Sequence, residues 1–214
     1  MSTDTNDTSD RRQQILNAAM LVFSRKGFQQ ATNKDIADAA GGISPGLIYH
    51  YFKDKQDLFM AIVRERAVFI QLAEHPEEFF EQPPREVLTK FGHAYLSALT
   101  MPENTAFFRI ALGEILRFPQ LSEALYRGAI GKILHTLVRY LDHQIVLGRL
   151  RPHDTHIAAR SFMGMFMAHI VLREVFHQPE ALTVDNGRVV AQVVETFLNG
   201  LAEASGVRSQ ESEF

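Results

Sequence analysis

The chain of 214 residues contains no cysteine. Disulfides, thiol redox sensing and cysteine nucleophilic catalysis are therefore excluded. It has no signal-peptide h-region and no apolar run long enough to cross a bilayer, so the expected location is the cytoplasm, where DNA is. The signatures HExxH and CxxC are missing, and no catalytic site, metal site or cofactor is expected. A dominant charge is missing too. The formal net charge is −3, which excludes a general polyanion binder. No period-two run of strand type stands out, so the predicted fold class is all-α.

What charge there is lies unevenly. Between Arg11 and Lys55, seven Lys and Arg face three Asp and Glu, net +4; from Gln56 onward the balance is fifteen to nineteen, net −4, and residues 1–10 add −3. A positive N-terminal end on a weakly acidic chain fits the footprint of phosphate binding, although solvated helices can carry a similar excess. The same stretch is helical in period. Ile15, Leu16, Ala19, Val22 and Phe23 form one stripe, with Asp10 placed to cap it and Gly27 to end it. Thr32 or Asn33 can cap a second helix whose Ile36, Ala37 and Ala40 face inward. Gly41 supplies a left-handed residue at its end, and Ile43 returns to the core. Ser44 can cap a third helix with Pro45 at its first position, where the missing N–H costs nothing. Leu47, Ile48 and Phe52 supply core contacts, and Leu58, Phe59, Ile62 and Val63 continue on a fourth helix. Two short helices across a tight glycine turn, the second offering polar and aromatic side chains, are how a helix-turn-helix is built for the DNA major groove. A plain helical hairpin with surface tyrosines has the same periodicity.

More specific is a set of residues running through the whole stretch: Ile15-Leu16-x-Ala18-Ala19, Phe23, Lys26-Gly27-Phe28, Thr32, Asp35-Ile36-Ala37, Ala39-Ala40-Gly41, Ser44-Pro45-Gly46 and Leu47-Ile48-Tyr49-His50-Tyr51-Phe52-x-x-Lys55. With them, residues 11–63 resemble the DNA-binding domain of TetR/AcrR-type transcriptional regulators. One departure is the pair Gly41-Gly42 where the family usually has a single glycine, which predicts a turn one residue longer. Chemistry and the resemblance together give Thr32, Asn33, Lys34, Ser44, Pro45, Gly46, Tyr49, His50, Tyr51 and Lys55 as the DNA-binding set. Lys55, Tyr51 and Thr32 would contact phosphates, with Lys34 on the same track. Ser44, Gly46, Tyr49 and His50 would approach base edges, where rings can pack on thymine methyls. Tyr49 can also be read as a core aromatic. No arginine lies on the recognition helix, so specificity is expected to lean on methyl contacts, hydroxyl contacts and DNA shape.

The expected organisation is a disordered tail over 1–9, a DNA-binding domain over 10–54, a helical ligand-binding and dimerisation domain over 55–205, and a disordered tail over 206–214. Predicted helices run roughly 55–74, 84–101, 103–117, 120–148, 154–177 and 185–204. They are separated by Pro76, Pro83-Pro84, Pro102, Pro119, Gly148 to Pro152, and Pro179.

The last two helices are apolar on more than one side, which suits one face in the subunit and one in a second copy, or burial of both within a monomer. The resemblance implies that these helices pair with their symmetry mates. The interface set is Phe162, Met165, His169, Arg173, Val190, Val194, Phe197 and Leu201. The bulky residues of the middle helices can be plain core or can surround an apolar cavity; the resemblance implies a small-molecule pocket there. Its candidates are Tyr95, Leu99, Phe107, Phe108, Arg109, Leu112, Glu114, Phe118, Leu137, Tyr140, Phe162 and Phe166. Arg109 and Glu114 are the polar members, and a Glu114–Arg117 ion pair is the structural alternative. The histidines invite a metal reading, but His135 and His143, eight apart, stand about 12 Å from each other along a helix, too far to share an ion. The function expected is therefore that of a homodimeric DNA-binding regulator, most simply a repressor, with an operator, a second copy and a lipophilic or aromatic effector as partners. A regulator of the same fold without a ligand and a helical metal-dependent enzyme are the alternatives.

Overall fold

A computed structural model of the chain describes residues 4–66 and 79–201. The expected extension of the fourth helix to residue 74, the first residues of the N-terminal tail and the tail over 206–214 lie outside the described residues.

The N-terminal end is four helices: α1 (Asp4–Gln30), α2 (Asn33–Ala39), α3 (Pro45–Tyr51) and α4 (Lys55–Arg66). Helix α1 begins at Asp4, before the cap expected at Asp10. Its regular course breaks at Gly27 (φ 77°, ψ 167°), which turns the chain so that Phe28 enters the core. Ile15, Leu16, Ala19 and Phe23 of α1, Ile36 and Ala37 of α2, Ile48 of α3 and Leu58 to Ile62 of α4 bury together.

The remainder is also helical: α5 (Pro84–Thr100), α6 (Pro102–Arg117), α7 (Pro119–Leu125), a π-helical turn (Tyr126–Ile130), α8 (Gly131–Val146), α9 (Thr155–Glu174), α10 (Pro179–Thr183) and α11 (Asn186–Leu201). Prolines open α5, α6, α7 and α10, where a missing N–H leaves no hydrogen bond unmade. Asp154 caps α9 by accepting from the Ile157 N–H at 2.9 Å. The long helix expected over 120–148 is interrupted by the π turn. There Gly128 lies against Met60 of α4, whose methyl would be 2.9 Å from an added Cβ.

Helices α5, α8, α9 and α11 enclose the second core, centred on Phe91, Leu96, Tyr140, Phe162, Phe166 and Val190. Gly92 of α5 lets these helices approach closely, since a Cβ there would stand 2.7 Å from Phe166 Cζ and 3.0 Å from Val190 Cγ1.

The two cores meet through α6. Phe107 packs tilted against Phe59 with centroids 5.0 Å apart, and Phe59 in turn touches Phe23 and Phe28 at 5.9 and 5.5 Å. The division expected between residues 54 and 55 therefore runs through a continuous core, to which α4 and α6 both contribute. Truncating Phe107 to Ala should cost about 3–5 kcal/mol, as for other buried aromatics. Calorimetry should show one transition moving to lower temperature as a whole; separate melting of the N-terminal end would contradict a shared core.

Candidate DNA-reading face and internal cavity

The turn between α2 and α3 is held at both ends. Ala40 closes α2, Gly42 and Ile43 both donate to the Ala37 carbonyl (3.0 and 3.1 Å), and Gln14 of α1 reaches the Ala40 carbonyl at 2.7 Å. Gly41 and Gly42 are both left-handed (φ 83° and 75°), a conformation in which a Cβ costs about 1–2 kcal/mol per residue. The additional glycine is thus absorbed as a second left-handed residue, while Ile43 still turns back toward the core.

On α3, Ser44, Pro45, Gly46, Tyr49 and His50 are exposed, and Tyr49 is 60% accessible. Tyr49 is thus on the surface and not beneath the helix. Ser44 occupies the N-cap position, but its side chain makes no capping hydrogen bond, so the hydroxyl is free for another partner. His50 meets the Tyr51 ring edge-on at 5.1 Å, and Tyr51 is half-buried.

Thr32 is committed differently. Its hydroxyl accepts from the Asp35 N–H at 3.1 Å and its backbone N–H donates to the Asp35 carboxylate at 3.0 Å, completing a capping box for α2, and the hydroxyl also donates to that carboxylate at 2.8 Å. Lys26 closes on the same carboxylate at 2.6 Å. Asn33 is half-buried, and Lys34 is exposed.

Lys55 is also engaged internally. Its ammonium donates to the Gln29 and Ala31 carbonyls, both at 3.1 Å, and lies 4.8 Å above the Phe28 ring. Desolvation pulls its pKa down, opposed by the field of Glu114. Lys53, which the sequence reading omitted, is exposed directly after α3; its place one residue past the aromatic ending was the available signal.

Between the cores lies a cavity of about 420 Å³. Of the residues expected to line a pocket, Tyr95, Leu99, Phe107, Phe108 and Leu112 do so. Seven others are placed elsewhere. Arg109 is exposed on the other side of α6, 3.0 Å from the His177 imidazole. Glu114 covers the break in α1, with one carboxylate oxygen 2.9 Å from where a side chain at Gly27 would begin. No ion pair joins Glu114 to Arg117 among the described residues. Phe118 lies under the Arg117 guanidinium and packs on the N-terminal core. Leu137, Tyr140, Phe162 and Phe166 are second-core residues, with the Tyr140 hydroxyl donating to the Gln82 carbonyl at 2.8 Å.

The wall also has polar members that the apolar pattern could not announce: Arg66, Asn104 and Arg160. Asn104 donates to the Ala98 carbonyl at 3.0 Å, which fixes the orientation of its amide. Burial pushes the Tyr95 phenol well up from its ordinary value, so it stays neutral.

The expected interface residues divide. Phe162, Val190, Val194 and Phe197 are turned into the subunit's own core, where α11 presents the last three to α5 and α9 and Phe162 of α9 meets the Phe197 ring at 5.1 Å. Met165, His169 and Arg173 are half-buried, and Arg173 pairs with Glu174 at 3.0 Å. The side chain of Leu201 falls outside the described residues. What α9 exposes instead is Ile157, Ser161, Gly164, Ala168 and Leu172, continued by Val175 just past its end, with His156 and Arg160 exposed beside them. Histidines are used singly: His143 lies 2.9 Å from Glu81 and stacks on Phe80, and His153 contacts the Arg151 carbonyl.

A helix-turn-helix with an exposed second helix, packed on an all-helical body, defines a DNA-binding regulator in form. Residues 15–62 match the profile of bacterial regulatory proteins of the TetR family, and residues 86–200 match that of the C-terminal domain of AefR-like transcriptional repressors. The chain belongs to the TetR family of transcriptional regulators, which are not enzymes. It is similar to the HTH-type transcriptional regulator UidR of Escherichia coli, 42% identical over 210 residues that cover 96% of this chain and 98% of that protein. A shorter match, 41% over 61 residues, joins 28% of this chain to 29% of the HTH-type transcriptional repressor KstR2 of Rhodococcus jostii, so it spans less than a third of that relative. Among solved structures, the fold is similar to SmeT, repressor of the Stenotrophomonas maltophilia multidrug efflux pump SmeDEF (TM-score 0.67, 25% identity, 94% of each chain). It is similar also to FadR of Bacillus subtilis in complex with stearoyl-CoA (TM-score 0.68, 23% identity, 88% of this chain and 98% of that one).

The capping box gives a pH dependence. Lys26 first, then the Thr32 backbone and hydroxyl, hold the Asp35 carboxyl from an ordinary 3.8 down to about 2. Its contribution is complete above pH 3.8 and lost as pH falls through 2. In Asp35→Ala, the loss of stability between those pH values should be shallower than in the wild type. Equal slopes in acid denaturation would show that the box is not formed in solution.

Proposed function

We propose that the chain acts as a cytoplasmic homodimer that represses transcription from a palindromic operator and leaves it when a small, largely apolar molecule occupies the cavity. The observation that carries the effector part is the cavity itself, within the size range of small-molecule sites and walled chiefly by aliphatic and aromatic groups. A regulator without an effector would be served better by a filled middle domain. In this reading, residues 10–54 are the reading head and 55–205 the effector and dimerisation body.

Ser44, Gly46, Tyr49 and His50 would face base edges, Pro45 would fix the approach of α3, and Lys34, Lys53 and Tyr51 would contact phosphates, with Thr32 and Asn33 at the same edge. Lys55 would act by locking α4 to the end of α1, not as a free cation. Two copies joined along α9 would set their recognition helices one helical turn, about 34–36 Å, or a small multiple apart. The exposed Leu172 and Val175 support that face, since a second helix can lie close over Gly164 and Ala168.

Selection from a random DNA pool should return a palindrome whose affinity falls steeply with salt. A folded protein that enriches no sequence would defeat the operator reading. Leu172→Glu should shift sedimentation toward the monomer and weaken operator binding together; an unchanged oligomer would move the interface off α9.

A further inference from the structure

We infer that the cavity is built for an amphiphilic anion, an apolar body with a carboxylate, sulfonate or phosphate head group, and that Arg66 and Arg160 receive the head. The inference rests on the effector reading of the cavity given above and narrows its chemistry.

Arg66 lies in the last described turn of α4 and Arg160 in the first half of α9, so two arginines from helices distant in sequence line one cavity. They are the only charged side chains on its wall among the described residues, and no carboxylate stands there with them. Elsewhere Arg12, Arg64, Arg85, Arg127 and Arg173 each reach a Glu or Asp. Arg66 and Arg160 do not, among the described residues. Arg66 donates to the Asn17 side-chain carbonyl at 2.8 Å, and Arg160 donates to the His156 carbonyl at 3.1 Å. Each therefore keeps donors in hand, because a guanidinium has five N–H groups and a charge that no accessible pH removes.

Two such charges beside an otherwise apolar wall favour an anionic head over a neutral one and repel a cationic one. The rest of the wall, with Phe107, Phe108, Leu112, Ile133 and Met163 among its members, takes the body. Tyr95, held neutral by burial, adds no competing negative charge. Arg66 is also fastened to Asn17 of α1, so a head group that draws on this guanidinium acts on a side chain already joined to the reading head.

The test uses two probes that share an apolar body and differ in one group: 8-anilinonaphthalene-1-sulfonate and the neutral N-phenyl-1-naphthylamine. Both are titrated by fluorescence into the full chain and into Arg66→Gln, Arg160→Gln and the double variant, with circular dichroism checking the fold. The wild type should bind the sulfonate about tenfold or more tightly than the neutral amine. The double variant should lose that preference while binding the amine as before. Arg160→Gln carries the test if Arg66→Gln unfolds, because Arg160 is exposed and bonded only within its own helix. Equal affinity for the two probes in the wild type, or a preference that survives in the double variant, overturns the anion inference and leaves an apolar effector site standing. A folded wild type that binds neither probe overturns the effector reading of the cavity as well.

Discussion

One ring holds the molecule together as a regulator and not as two linked pieces. Phe107 of α6 lies on Phe59 and so closes the aromatic group of the DNA-reading end, yet it also forms part of the cavity wall. The hydrophobic drive that completes one core therefore fixes a wall of the other compartment. Close-packed interiors transmit small displacements instead of absorbing them. A change in the cavity that moves Phe107 has no slack to dissipate in before it meets Phe59, Phe23 and Phe28.

Electrostatics follow the same economy. The positive excess of the N-terminal end is partly spent inside the fold: Lys26 neutralises the carboxylate that caps α2, and Lys55 binds two backbone carbonyls where α1 ends. Lys34 and Lys53, on either side of α3, stay exposed. Counting charges along a chain overstates the field outside it, because some of them are structural.

The helices were legible because each has a physical boundary written in its residues. Proline opened α5, α6 and α7, Asp154 capped α9, and apolar stripes supplied the period, whereas the short α10 was read only as a break at Pro179. The π turn at 126–130 was not legible, since a change of hydrogen-bond register leaves the apolar pattern almost unaltered. The exposed residues of α3 could be read because a short helix with Ile48 buried leaves the remaining positions little choice of face. The cavity was harder. A ring that is core and a ring that is wall look alike in sequence, so Phe108 could not be told from Phe162. Arg109 was drawn in by its apolar neighbours, although α6 turns it to solvent. Arg66 and Arg160 escaped because only tertiary contact brings them together. Val190 and Val194 misled for a related reason: an apolar stripe says that a face is buried, not which molecule buries it.

Helix α1 is fastened to α4 near both ends of the shorter helix. At one end Lys55 holds the Gln29 and Ala31 carbonyls; at the other, Gln13 bonds Glu65 at 2.5 Å and Arg66 bonds Asn17. With two such fastenings about three turns of α4 apart, neither helix can swivel against the other without breaking charge-assisted bonds. The pair is a rigid plank, and the recognition helix rides on it. Any tilt of the plank carries α3 with it whole, and in the proposed dimer that angle would set how far apart the two tips stand.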